Sequence, residues 1–293
     1  SFQTICKKRQ YTILGTKSLF NVIQQFIIFM NDSNVSNTDA ITEDLILKFL
    51  CSYSAYSTRY IATIVSTLRN YLKFNHEEGY IKNDITSCLP KIKIIRGGFI
   101  PSTWKQEDVH KLLNTIDRNN PLGKRDYAIL LLVTRLGLRV SDIRALKLKN
   151  INWVRKTISI IMQKTKQPLE LPLLDDIGWA LIDYLKNGRP ETISNCIFIR
   201  HKAPYDAFSD YNCLSRMLGR RMKKAEIDMK GQKCGLHTLR NTLARVMLES
   251  GATLPVISET LGHQNINTTS IYLKIDIEGL RNCAIDPEEV FHE

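Results

Sequence analysis

Apolar residues recur at helical spacing through most of the first hundred positions. Leu19, Val22, Ile23, Phe26, Ile27 and Met30 fall on one stripe of a 3.6-residue period, which predicts a helix. The run from Asp32 to Thr38 is a polar break. A second helix is expected from Glu43 to Ser52, with Leu45, Ile46, Phe49 and Leu50 on one side. A third runs from about Ser57 to His76, with Ile61, Ile64, Val65, Leu68 and Leu72 inward. Arg59, Arg69 and Lys73 lie on its polar side, where solvent and phosphate are equally good partners. The basic, Pro- and Gly-punctuated run Pro90 to Pro101 has no helical period and predicts a linker. The domain boundaries follow: a helical domain over 1–96, a linker at 97–101, and a second domain over 102–293.

The second domain reads as mixed, mostly helical with a small antiparallel sheet. Thr103 and Gln106 have capping-box spacing ahead of Val109, Leu112, Leu113 and Ile116. Asp126 to Leu136 predicts an apolar helix closed by Gly137, and Ser141 is a candidate cap for the next. Lys156 to Met162 and Leu169 to Leu173 predict paired strands around a turn at Lys164–Pro168. Cys196 to Arg200 reads as a further short strand. Helices are expected near 176–187, 209–225, 238–250, 254–261 and 267–274. The tail 277–293 carries Leu280, Ala284, Ile285 and Val290.

Composition narrows the class. The 293 residues carry 41 Lys+Arg against 29 Asp+Glu, a formal charge of +12. Both domains are net basic, which favours a polyanionic partner gripped by both over a basic tail on a neutral enzyme. Ordinary hydrophobic and charged fractions exclude a disordered chain. The 7 cysteines include no C-x-x-C pair, so neither a disulfide framework nor a zinc site is expected, and a reducing cytosol is the default. The longest apolar run is too short to span a bilayer.

The candidate chemistry is concentrated late in the chain. Arg139 follows a helix-closing glycine, where a guanidinium fork can meet phosphate oxygens. His237 and Arg240 share a helix face at i, i+3 beside a helix N-terminus. His263 follows Leu261-Gly262, and Tyr272 lies in the next predicted helix. Each alone is an ordinary surface or core residue. A second basic run includes Arg220, Lys223 and Lys224, which can share a helix face and contact phosphates, or simply solvent.

Taken in order, these motifs resemble the tyrosine recombinase family, the phage integrase type. Thr134 to Leu146 matches its G-x-R-x-S-[ED]-x-x-x-L setting with Arg139 and Asp142. A hairpin lysine, His237-x-x-Arg240, Leu261-Gly262-His263 and Tyr272 follow. The resemblance spans roughly residues 102–280. It implies a two-domain C-shaped DNA clamp, with the first domain as a helical core-binding domain. It also implies six site residues: Arg139, Lys164, His237, Arg240, His263 and the nucleophile Tyr272. Arg139, Arg240 and His263 would hold the charge developing on phosphate. Tyr272 would form a covalent 3′-phosphotyrosine, Lys164 would protonate the leaving 5′ oxygen, and His237 would assist the tyrosine proton or orient the phosphate. Lys166 is the alternative to Lys164; the family lysine precedes a Thr or Gly, as Lys164 does.

The partners implied are double-stranded DNA with inverted half-sites and further copies of the chain, a dimer on each site and a tetramer in synapsis. Strand exchange would pass through a Holliday junction, with the tail 277–293 exchanged between protomers. No cofactor, metal or membrane is expected, and the setting implied is the cytoplasm of a bacterium, for a phage or other mobile element. Two rival readings are a type IB topoisomerase and a catalytically silent DNA-binding protein of the same fold.

Overall fold

The computed structural model describes residues 4, 6, 13–35, 37–94, 100–209 and 214–274. The chain forms two compact units, Ser1–Gly98 and Phe99–Glu293. The division falls within the expected linker; residues 97–99 and the tail 277–293 lie outside the described residues.

The first unit contains α1 (Ile13–Asp32), α2 (Glu43–Cys51) and α3 (Thr58–Glu77). Thr42 caps α2 by accepting from the Leu45 N–H, and Ser57 caps α3 by accepting from Tyr60. Val22, Phe26, Met30, Ile46, Phe49, Ile64, Leu68 and Leu72 make one core. Phe26 and Phe49 meet edge-on at 5.1 Å between ring centroids. Ile27 departs from the expected stripe and is exposed. Arg69 is used internally: its guanidinium donates to the Leu89 and Pro90 carbonyls at 3.1 and 3.2 Å. Arg59 and Lys73 are exposed, with Lys73 3.8 Å from Glu77.

The second unit runs α4 (Gln106–Asn114), α5 (Pro121–Leu136), α6 (Val140–Ala145), β1 (Ile151–Asn152), β2 (Thr157–Ile161), β3 (Pro168–Pro172), α7 (Asp175–Asn187), α8 (Leu214–Lys224), α9 (Leu236–Glu249), α10 (Leu254–Thr260) and α11 (Ile266–Thr269). A 3-10 turn, Ser270–Lys274, follows. The sheet order is β1-β2-β3, antiparallel, with Ile158 opposite Leu171 and Ile160 opposite Leu169. Among the described residues, no helix is long and apolar enough to cross a membrane.

Helix α5 is the pillar of this unit. Ala128 to Val133 are all buried, because α7 and α9 both pack on it. It begins five residues before the expected Asp126, since Asn120 caps it through the Gly123 N–H and Pro121 takes the first turn.

Three sequence expectations fail here. The Thr103–Gln106 pair makes no capping box: α4 starts at Gln106 behind Lys105, and the Thr103 hydroxyl instead accepts from Arg245. Ser141 does not cap α6, which already begins at Val140 behind Arg139. The run 196–200 forms no strand, only isolated bridges of Cys196 with Lys147 and of Ile199 with Ala207. Side chains hold that segment instead. Arg189 donates to the carbonyls of Ser194, Cys196 and Ile197, and Arg125 to that of Ile199.

Arg125 belongs to a buried charge triad. Asp126, 2% exposed, accepts from Arg125 at 2.8 Å and from Arg221 of α8 at 2.6 Å. Removing one member leaves uncompensated buried charge, so Asp126→Asn should destabilise the unit by about 3 kcal/mol. Asp175→Asn, which breaks the exposed Lys156–Asp175 pair, should cost less than about 1 kcal/mol. Urea denaturation of the two variants measures the contrast, and equal losses would contradict the assignment of Asp126 as the buried keystone.

Candidate active site

The site is assembled at helix ends. Gly137 closes α5 at φ +63°, and Gly262 follows α10 at φ +59°, both in the left-handed region that glycine tolerates. Such endings leave backbone carbonyls without helical partners, at the negative pole of each helix. Arginine side chains take them up. Arg240, 2% exposed on α9, donates Nη1 to the Gly137 carbonyl and Nη2 to the Leu261 carbonyl. Its buried Nε has no acceptor among the described residues. Arg139, between Gly137 and α6, donates Nη2 to the Gly262 carbonyl at 3.1 Å and places Nη1 3.1 Å from the Met162 sulfur.

The two glycines are also required by space. A Cβ on Gly137 would lie 2.5 Å from Leu261 Cδ2, and one on Gly262 would lie 2.4 Å from Met162 Sδ. Two helix ends and the end of β2 therefore close on one another with both guanidinium groups between them.

Tyr272 enters this cage from the 3-10 turn. It is 3% exposed and its hydroxyl donates to Asn241 Oδ1 at 3.2 Å. His263 lies beside it, with ring centroids 6.3 Å apart and planes 17° from parallel. The His263 Nδ1 is 2.8 Å from the Thr269 hydroxyl, which fixes the ring. His237 stands in the first turn of α9, one turn before Arg240.

Lys164 sits in the β2–β3 turn, which is anchored on both sides of it. The Gln163 N–H donates to buried Asp142 at 2.7 Å, and Gln264 donates to the Thr165 carbonyl at 3.2 Å. The Lys164 charge is felt at both His237 and His263. Lys166, in the same turn, takes a left-handed backbone at φ +58°.

The other expected positions are elsewhere. Arg220, Lys223 and Lys224 are exposed on α8. Arg59, Arg69 and Lys73 belong to the first unit. The residues that sequence reasoning missed are Asn241, Met162 and the carbonyls at 137, 261 and 262. Only the glycines signalled the carbonyls; nothing in the sequence singled out Asn241 or Met162.

Residues 103–278 match the model of the phage integrase family. The chain belongs to this family of tyrosine recombinases. A putative integrase/recombinase y4rA of Sinorhizobium fredii is 34% identical over 281 residues, covering 94% of this chain and 68% of that protein. Tyrosine recombinase XerD of Staphylococcus aureus is 28% identical over 88% of this chain and 87% of its own length. Among solved structures, the XerH recombinase bound to a palindromic difH substrate aligns with TM-score 0.74 at 20% identity, over 96% of this chain and 82% of that one. A lambda integrase dimer bound to a COC′ core site aligns with TM-score 0.69 at 18% identity, over 92% of each chain. These likenesses show the fold: mostly helical with a small antiparallel sheet.

In this tyrosine recombinase burial and the clustered cations together shift the groups between them. Burial, then the charges of Arg240 and Arg139, lower His263 to about 4. Partial burial and the charges of Arg240, Lys164 and Arg139 also lower His237. Burial raises the Tyr272 phenol, and the charges of Arg240 and Arg139 pull against that rise. Burial brings Arg240 down to about 10, which leaves it charged at neutral pH. His263 is thus neutral at pH 7, and the shift at the more exposed His237 has the same direction.

This has a consequence for stability. With His263 lowered to about 4, the unfolded chain binds a proton near its ordinary 6.5 that the folded chain refuses. The contribution is full above pH 6.5 and is lost as pH falls from there towards 4. Removing the imidazole removes that dependence. We expect the stability gap between wild type and His263→Gln to narrow on acidification across this window, read by urea denaturation at stepped pH; a constant gap would contradict a depressed His263.

Proposed function

We propose that this protein cleaves and rejoins duplex DNA at specific sites, with Tyr272 holding the broken strand as a 3′-phosphotyrosine. The observation that carries the reading is the convergence of Arg139, Arg240, His263 and Tyr272, from separate parts of the chain, on the ends of α5 and α10. A phosphodiester under attack gathers negative charge on its nonbridging oxygens. Donors already fixed in place stabilise that state without reorganising. Arg139 and Arg240 are fixed in this way by protein carbonyls, and the buried Arg240 Nε is a donor with no acceptor among the described residues.

In the forward step the Tyr272 oxygen bonds to phosphorus and the 5′ oxygen leaves. His237 assists the phenol proton's departure. Lys164 supplies a proton to the departing oxygen. When the Thr269 hydroxyl donates to Nδ1, His263 keeps its proton on Nε2, the form that donates to a phosphate oxygen. The reverse step, with a 5′ hydroxyl attacking the phosphotyrosine, reseals the strand. The covalent bond conserves the energy, so neither nucleotide hydrolysis nor a metal enters the scheme.

The net charge of +12 supports a DNA partner gripped through phosphates. Arg59, Lys73, Arg220, Lys223 and Lys224 are the exposed cations we assign to that grip. The first unit then serves as the core-binding domain of a two-domain clamp. The assembly we infer is a dimer on inverted half-sites and a tetramer in synapsis, coupled through the tail and exchanging strands by a Holliday junction. Moving a mobile element within a bacterial cytoplasm fits the likeness to integrase/recombinase relatives.

The test uses nicked duplexes recovered from a randomised inverted-repeat pool by rounds of binding selection. Wild type should give a denaturant-resistant protein–DNA adduct. Tyr272→Phe should bind the same duplex with similar affinity and give none, because it lacks the nucleophile but keeps the cage. An adduct that persists with Tyr272→Phe would overturn the assignment. Relaxation of a supercoiled plasmid lacking any selected sequence would favour a topoisomerase instead.

A further inference from the structure

Asn241 follows Arg240 on α9 and is 5% exposed. Its two amide atoms face different segments. Oδ1 accepts the Tyr272 hydroxyl at 3.2 Å, and Nδ2 donates to the Ser102 carbonyl at 3.3 Å. The orientation of the amide is fixed by these partners. A backbone carbonyl can only accept, so the nitrogen must face Ser102 and the oxygen must face the phenol.

Ser102 is itself held. It opens a short strap clasped by the next turn of the same helix. The Trp104 N–H donates to Thr242 Oγ1 at 2.9 Å. Arg245 donates to Thr103 Oγ1 at 3.4 Å and to the Trp104 carbonyl at 3.3 Å. The Trp104 side chain is 1% exposed and belongs to the core of the unit. Strap, amide and phenol therefore form one chain of contacts along α9.

A phenol rotates freely about its C–O bond and needs a partner to direct its proton. Arg240 on α9 and Arg139 before α6 are donors only, and His263 after α10 has Nδ1 engaged with Thr269. Asn241 supplies an acceptor. A neutral amide cannot take the proton, so it directs the hydroxyl without acting as a base.

We propose that Asn241 is a positioning residue for this reaction: its amide, locked by the Ser102 carbonyl, aims the Tyr272 hydroxyl within the cage of Arg139, Arg240 and His263. The proposal rests on the reading of Tyr272 as the nucleophile. It also ties that aim to residues 102–104, so a shift of the strap changes how the nucleophile is presented. Aspartate could accept from the phenol but not donate to Ser102; leucine could do neither.

The test compares wild type, Asn241→Leu and Asn241→Asp in the full chain. With 3-fluorotyrosine at position 272, 19F NMR follows ionisation of that phenol without DNA. Loss of the acceptor destabilises the neutral phenol, so Asn241→Leu should lower the titration midpoint. A carboxylate accepts the proton more strongly and repels the phenolate, so Asn241→Asp should raise it. A merely structural role would not move the midpoint in opposite directions. On the selected nicked duplex at saturation, Asn241→Leu should form adduct about tenfold more slowly, with half-saturation within about twofold of wild type.

The proposal is overturned if the midpoint is the same in all three proteins, or if both variants move it the same way. It is equally overturned if Asn241→Leu forms adduct at the wild-type rate, or loses rate only in step with lost DNA binding. If Asn241→Leu does not fold, the upward shift in Asn241→Asp decides. An adduct surviving Tyr272→Phe would remove the nucleophile reading alone, while the fluorotyrosine titration would still report on the amide contact.

Discussion

Everything in the second unit that bears on chemistry depends on one buried guanidinium. Arg240 donates to the carbonyls of Gly137 and Leu261, at the ends of α5 and α10. A helix end carries unpaired carbonyls and partial negative charge, and burial makes both expensive. A buried arginine is also expensive. Each offsets the other, provided the two helix ends meet on the same cation. That requirement brings together loops that begin at residues 137 and 262, and those loops carry Arg139 and His263. The left-handed glycines let the chain turn where it must, and the absence of a Cβ lets Leu261 and Met162 close in.

Once the cage exists, its charge governs the groups inside it. Burial first, and then two guanidinium groups and a nearby lysine, disfavour further positive charge, so His263 is neutral well below its ordinary range. The same field favours a phenolate and a phosphate, each of which burial alone would oppose. The electrostatic part of the histidines' reluctance to protonate and the attraction for anions are one property of this site. Among the described residues no group of side chains suited to a metal is present. Arg139 and Arg240 bring positive charge of the chain's own to this place, held by backbone carbonyls in place of counter-ions.

The sequence made the helices and the chemistry legible to different degrees. Apolar spacing located α1, α2 and α3 because each buries one stripe, and Thr42 and Ser57 cap as their side chains allow. Motif order identified Arg139, His237, Arg240, His263 and Tyr272 as a set, and the structure brings Arg139, Arg240, His263 and Tyr272 together with His237 one turn from Arg240. Local signals failed where a distant partner competed. Thr103 has the spacing of a cap, yet it serves Arg245 from a remote helix. Arg69 lies on a polar helix face, yet two carbonyls of its own unit take its guanidinium. The run 196–200 is rich in β-formers, yet among the described residues it makes only isolated bridges, and arginines take up the carbonyls of Cys196, Ile197 and Ile199. Asn241 carries no local signal at all, since its role exists only where Ser102 and Tyr272 meet.

The most direct test of the account is a crystal structure of the protein with a selected nicked duplex and orthovanadate, which adopts the five-coordinate geometry of a phosphoryl group in transfer. The account predicts vanadium bonded to the Tyr272 oxygen, with Arg139, Arg240 and His263 donating to its equatorial oxygens while Arg240 keeps the Gly137 and Leu261 carbonyls. Vanadate held away from Tyr272, or an Arg240 that abandons those carbonyls to reach it, would contradict the claim that helix-end carbonyls build the site in advance of its substrate.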